Sequence, residues 1–328
     1  MVTSTEYFGF EFYNLGPLTT TFTAPSSCTT VNTKQVHFVN KSAPYLYHVG
    51  QANCDHWTQG SCRPSGVEID SVVSDIRLTT TDPGLFLYYH SPGIACPDGW
   101  DTVGIIAKSD STLSVSGFMT NTIKDYDKYS TYYPTSQSDQ PRFMDFTELW
   151  NGILKPSDTV AFCGPTSGYE IDPAGRCIST IGSYSKYDYK TWCYVGMAYG
   201  GNLEDDLVVV STVPGITHKP GLLSWVHQGV SYSSIFTRSE DMTGSWATNA
   251  ARDFAVVTTV EVLPIVFQKS DLDAAAATAT MTEESVVEKT SVGTDAAEST
   301  GFAISKPGLI PVFTVLISIL ASGGIFSL

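Results

Sequence analysis

Up to Phe267 the sequence never sustains an apolar period of 3.6 residues; it advances in short β-branched and aromatic runs cut by turn residues. The runs at 7–15, 35–39, 44–49, 85–90, 103–107, 112–118, 159–163, 190–197, 207–212 and 254–267 have the length and composition of strands. Turn signals stand between them, among them Asp82-Pro83-Gly84, Ser91-Pro92-Gly93 and Asp172-Pro173-Ala174-Gly175. One helix is expected at 146–153, and long amphipathic helices are missing. Regular short strands with turn punctuation predict a mainly β body of the sandwich type, one large domain or two packed ones, over residues 1–268.

Charge narrows the partners. The chain carries 18 Lys and Arg against 33 Asp and Glu, a net charge of −15. No block of basic residues exists to neutralise phosphates, which excludes nucleic acid and argues against docking on an anionic leaflet. Charged residues make up 16% of the chain, below the ~25% of an average soluble protein, and Ser, Thr, Tyr and Gly fill the difference. Such an acidic, hydroxyl-rich surface suits an extracellular or cell-wall setting.

Seven cysteines, Cys28, Cys54, Cys62, Cys96, Cys163, Cys177 and Cys193, are spread widely through the body and absent from the tail. Without a repeated C-x-x-C they do not form a zinc ribbon, and disulfides made in an oxidising compartment are the expectation. Their pairing stays open. The odd count leaves one thiol over, or one bridge to another chain. The alternative is a cytosolic protein with reduced, buried cysteines.

The tail has its own logic. Residues 309–328 contain no charge and, as a helix at ~1.5 Å per residue, just reach the ~30 Å hydrocarbon thickness of a bilayer. Residues 269–308, low in complexity and rich in Ala, Thr, Ser, Val and Glu, are expected to form a disordered stalk. Small residues, a polar spacer and a terminal apolar run form the pattern of a glycosylphosphatidylinositol attachment signal, with Asp295 or Ser299 as the attachment residue. A retained transmembrane helix is the rival. Met1 leads directly into Val-Thr-Ser-Thr-Glu-Tyr without a basic n-region or apolar h-region, so a secretory signal peptide is absent from this chain. Either an upstream leader is missing, or the protein is cytosolic and tail-anchored.

Three cysteines share a local pattern: Cys62-Arg63-Pro64-Ser65-Gly66, Cys96-Pro97-Asp98-Gly99-Trp100 and Cys163-Gly164-Pro165-Thr166-Ser167-Gly168-Tyr169. Pro presets φ and Gly permits the tight end of a turn. Trp100 and Tyr169 are expected to cover the bridge, the alternative being a ligand-binding knob. The opening run from Tyr13-Asn14-Leu15-Gly16-Pro17 to Ser26-Ser27-Cys28 resembles the start of uncharacterised surface proteins of filamentous ascomycete fungi. The last two cysteine turns and the run from Leu263-Pro264-Ile265-Val266-Phe267 to Leu272 are similar to later parts of that family. Members often carry paired cysteines where Cys163-Gly164 stands here, and many continue past the membrane segment into a cytoplasmic tail. The resemblance implies an ectodomain, a stalk and an anchor, and no activity.

No recognisable catalytic motif appears: there is no G-x-S-x-G elbow, H-E-x-x-H helix, Walker loop or dinucleotide fingerprint. Cys54-Asp55-His56 with Cys62 offers metal-ligating residue types, but a fourth ligand at standard spacing is missing, so no metal or cofactor is expected. Glycoside hydrolysis needs two facing carboxylates, and Asp125, Asp127, Asp145, Glu148, Asp188, Glu204, Asp205 and Asp206 lie near aromatics. The cluster at 202–206 reads more naturally as a solvated turn. The Tyr-rich segments 126–133 and 184–189 suit contact with wall polysaccharide, or simple packing. Asn40-Lys41-Ser42 is a glycosylation acceptor. The expectation is a non-enzymatic, membrane-anchored glycoprotein on the extracellular face of the cell membrane. Its alternatives are a surface enzyme acting on wall glycans and the cytosolic tail-anchored protein.

Overall fold

A two-residue turn at Phe8-Gly9, with both residues at positive φ (58° and 79°), folds the N-terminus into a hairpin where one continuous strand was expected over 7–15. Such a turn matches strand twist but favours Asn-Gly, and Phe8 hides the signal; its ring instead packs against the main core. In the computed structural model the described residues are 2–29, 36–41, 48–52, 59–79, 86–110, 112–120, 141–165, 168–171, 175–186, 191–198, 207–213, 216–225, 234–241 and 245–287. In chain order the elements are β1 (Thr3–Tyr7), β2 (Phe10–Asn14), β3 (Val36–Asn40), β4 (His48–Gln51), α1 (Gly66–Thr79), β5 (Phe86–Tyr89), β6 (Trp100–Lys108), β7 (Leu113–Gly117) and β8 (Arg142–Phe143). Then come α2 (Phe146–Ile153), β9 (Thr159–Pro165), β10 (Glu170–Ile171), β11 (Arg176–Ser183), β12 (Thr191–Ala198), β13 (Leu207–Val213) and β14 (Ile216–Trp225). The last are β15 (Ser234–Asp241), α3 (Ser245–Asp253), β16 (Phe254–Glu261), β17 (Leu263–Phe267) and α4 (Lys269–Val287). The protein is mainly β.

Among the described residues the strands form four sheets, ordered β1-β2-β5, β10-β11-β16-β3-β4-β12-β15, β13-β14-β8 and β17-β9-β6-β7. In the last of these β9 and β17 are buried on both faces. Ile106, Val160, Phe162 and Val266 point into the main core with Phe12 and Trp150. Their alternates Ala161, Cys163, Leu263 and Ile265 pack beneath Leu18 and Phe22 of the loop that follows β2. A bulge between Thr102 and Gly104 shifts the register of β6, and Trp100 lies on the face of Ile105 rather than that of Ile106. Trp150 on α2 is fully buried and meets Phe12, Tyr89 and Phe162 edge-on at 5.5, 5.9 and 5.5 Å. Its indole N–H has no hydrogen-bond partner among the described residues. Leaving that group unmade costs about 1–3 kcal/mol; three ring pairs at about 1 kcal/mol each, plus the buried area, outweigh it.

The expected strand over 254–267 is broken at Val262: β16 belongs to the seven-stranded sheet and β17 to the four-stranded one. Val262 leaves both ladders, its N–H donating to the Gly175 carbonyl at 2.9 Å and its carbonyl accepting from the Arg63 guanidinium at 2.9 Å. Pro264, which has no N–H to give, sits on β17 at the sheet edge, the position a strand tolerates it. His90, just past β5, bridges to Ile265 on that edge.

Only the helix at 146–153 was anticipated. The 14-residue α1 forms although its run of Val, Ile, Ser and Thr is a poor helix sequence, because Ile69 and Val72 pack on Leu15, Tyr13 and Tyr88. Asp70 reaches back to accept the Gln59 and Gly60 backbone N–H groups at 2.7 and 2.8 Å. Gly66 must be glycine there, since a Cβ would lie 2.0 Å from the Gly60 carbonyl oxygen. In α3, Ala250 packs under Phe38 and Val256, and Lys41 donates to the terminal carbonyls of Ala251 and Arg252. The expected stalk also begins differently. Lys269–Val287 is helical, as the helix propensity of its Ala run favours, and Asp271 accepts the Gln268 N–H at its start. The rest of the stalk, 288–308, and the apolar segment 309–328 lie outside the described residues. Among the described residues no helix is long and apolar enough to cross a membrane. The chain divides into a unit of Met1–Ala279 and a second of Thr280–Leu328.

Candidate functional site

Two buried polar groups, Arg63 and His90, stand where three sheets meet. Arg63 follows Cys62 in the turn before α1 and is 6% exposed; His90 follows β5 and is 1% exposed. Arg63 spends one N–H on the Val262 carbonyl and stands 3.9 Å from Glu261 of β16, a side chain 59% exposed. Its Nε and Nη1 have no hydrogen-bond partner among the described residues. Burial lowers its pKa, with Glu261 acting in the other direction. A guanidinium out of water costs several kcal/mol unless it is well bonded, so this one holds the junction at some expense.

His90 is tied through its backbone, donating to the Pro264 carbonyl at 3.0 Å and accepting from Val266 at 2.8 Å. Its Nδ1 lies 3.1 Å from the Gly16 carbonyl oxygen. A carbonyl only accepts, so Nδ1 carries the hydrogen and neutral Nε2 keeps a lone pair. The Pro64 backbone lies beside the ring, and Nε2 makes no hydrogen bond among the described residues. Burial pushes the imidazole below its ordinary value of 6.5; the Gly16 carbonyl opposes this and Arg63 reinforces it. Nothing in the sequence flagged either residue: Arg63 reads as part of a cysteine turn and His90 as a strand end.

Two bridges join distant segments. Cys28 pairs with Cys62 across 34 residues and Cys96 with Cys163 across 67. Cys193 is also disulfide-bonded, while Cys177 is a buried thiol. Cys54 lies outside the described residues, as do Asp55 and His56, and Cys62 is taken up by its bridge. No metal-ligating cluster occurs among the described residues. Of the two aromatics expected to cover the bridge, Trp100 does so, and Tyr169 packs instead in the cluster of the Cys177 thiol. Trp100 closes its turn by donating to the Pro97 carbonyl, with Gly99 at φ 76°, and lies in one cluster with Cys96 and Cys163. Tyr169 packs against the core that holds Cys177, and burial followed by Cys177 raises its phenol pKa. The third turn differs, since Gly66 opens α1.

Of the candidate acids only Asp145 and Glu148 are described, and they cap α2. The Glu148 N–H donates to Asp145 Oδ1 at 2.7 Å, and the Asp145 N–H donates to Glu148 Oε2 at 2.9 Å. Asp145→Ala is therefore expected to lower stability by about 1 kcal/mol, read as a shift in the urea midpoint at constant slope. Asp125, Asp127, Asp188, Glu204, Asp205 and Asp206 lie outside the described residues, as does the Tyr-rich segment 126–133. In the second Tyr-rich segment Tyr184 is buried edge-on against Phe38 at 5.2 Å, and 187–189 are not described. Asn40 ends β3 and is half-buried, pairing in register with Phe254. Asp295 and Ser299 are outside the described residues. No family model matches the chain, and no curated protein or solved structure matches it.

Proposed function

We propose that this protein is a non-enzymatic, membrane-anchored cell-surface glycoprotein. Its sandwich-type β ectodomain serves a structural or recognition role at the cell surface, in contact with wall polysaccharide. The observation that carries the reading is the pair of bridges Cys28–Cys62 and Cys96–Cys163, with Cys193 bonded as well. Bridges of this kind persist in oxidising compartments and are rare in the cytosol. The uncharged end at 309–328 supplies the anchor, and a lipid attached at Asp295 or Ser299 is the favoured form. Against a wall-glycan hydrolase stands the use of Asp145 and Glu148 as a helix cap.

Phosphatidylinositol-specific phospholipase C applied to intact cells tests the proposal. Release of the body into the medium is the expected result. A body that stays bound but is cut by external protease replaces the lipid with a retained helix. A body that neither enzyme reaches overturns the surface assignment.

A further inference from the structure

We propose that His90 and Arg63 make the meeting point of three sheets an acid-sensitive joint: neutral His90 locks the end of β5 onto β17, and its protonation releases that contact. The contact is narrow. It consists of the His90 N–H to the Pro264 carbonyl, the Val266 N–H to the His90 carbonyl and the neighbouring Gly93 N–H to the Val266 carbonyl, at 3.0, 2.8 and 2.9 Å. Through it the β1-β2-β5 sheet is fastened to β17, one residue beyond the Val262 break where β16 leaves for the seven-stranded sheet.

A second proton on the ring lands in an unfavourable place. Nδ1 already donates to Gly16, so the new hydrogen goes to Nε2, inside an interior that leaves His90 1% exposed. The Pro64 backbone beside the ring offers some relief. The charged groups facing the site come from several elements. Arg63, from the turn before α1, repels the imidazolium, while Glu68 on α1 attracts it. Beyond Arg63 lie Glu261 of β16, Cys177 of β11 and Tyr88 of β5. Glu261 stands 3.9 Å from the guanidinium, yet it is largely in water and its field is screened. β17 contributes only Leu263, Pro264, Ile265, Val266 and Phe267, none of them titratable. Desolvation and Arg63 therefore prevail over the remote carboxylates.

The sign follows from proton binding. The closed joint binds a proton less readily than the opened one, so closure is complete above about pH 6.5, the ordinary His value. It weakens as pH falls through the depressed value of the closed form, by at most about tenfold in the opening equilibrium per pH unit for one proton. The test uses the full chain with its bridges intact and follows amide hydrogen exchange at Gly93, His90 and Val266, corrected for intrinsic rates. Between pH 7 and 5 their protection is expected to fall by about tenfold or more, while amides of α2 and β9 keep theirs. In His90→Asn, whose amide can still donate to Gly16, protection at Gly93 and Val266 should become independent of pH. Equal acid loss in wild type and variant overturns the proposal, as does unchanged protection in the wild type. Should the variant fail to fold, an NMR titration of the His90 ring in the wild type decides: a midpoint below 6.5 supports the joint, and one at or above 6.5 overturns it.

Discussion

Replacing Cys96 and Cys163 together by alanine is expected to lower the unfolding free energy by about 4 kcal/mol, seen as an earlier urea midpoint. The bridge closes a sequence separation of 67 residues, and the loop-entropy relation gives roughly 4 kcal/mol for a loop of that length. Cys163 lies on the β9 face shared with Ala161, Leu263 and Ile265, with Trp100 beside it. Losing the crosslink therefore loosens the cover on one whole face of the four-stranded sheet, and exchange of β9 amides should rise with it. The Cys28–Cys62 bridge closes a shorter separation of 34 and is expected to give a slightly smaller loss. An unchanged midpoint in the Cys96/Cys163 variant would show that the bridge contributes nothing in solution.

The second large effect has the opposite sign. Gly164→Cys is expected to form an additional disulfide with Cys177 and to raise stability by up to about 3 kcal/mol, the loop-entropy value for a separation of roughly a dozen residues. A Cβ built on Gly164 lies 3.2 Å from Cys177 Sγ. In a disulfide the Cβ of one cysteine sits about 3 Å from the sulfur of the other, so this distance is within reach of a bridge. The same Cβ meets the Val103 methyls at 3.3 Å, so Val103 must shift by a few tenths of an ångström. Gly164→Ala isolates that crowding without the crosslink and should fall below wild type. Peptide mapping of the non-reduced protein reads the outcome. An introduced cysteine that remains a thiol, or that displaces Cys163 from Cys96, contradicts the expectation.

Gly164 also illustrates what the sequence could and could not convey. The odd cysteine was countable from the start, but only the fold shows that Cys177 faces a glycine. Helix α2 was legible because its signals are local: Asp145 and Glu148 stand three residues apart and cap each other. The turn at Pro97 and Gly99 was legible for the same reason. Helix α1 was not, since its start is held by Asp70 reaching back to Gln59 and Gly60, and its apolar face is completed by Leu15 and Tyr88. The break at Val262 was hidden because its carbonyl is taken by Arg63, 199 residues earlier in the chain. Apolar and β-branched residues run through 254–267 almost without interruption, and such a run carries no information on which sheet a strand joins. The Arg63–His90 junction was invisible on the same principle: a buried charge is recognised by what surrounds it, and its surroundings come from β5, β16, β17 and the turn before α1.

Everything proposed for the location of this protein depends on sulfur chemistry. The direct measurement is a thiol titration on protein taken from its own cells under an acid quench, which stops thiol exchange without capping the thiols, and then denatured without reductant. The account predicts one reactive thiol per chain, that of Cys177. Seven reactive thiols, the full complement of the sequence, would contradict it.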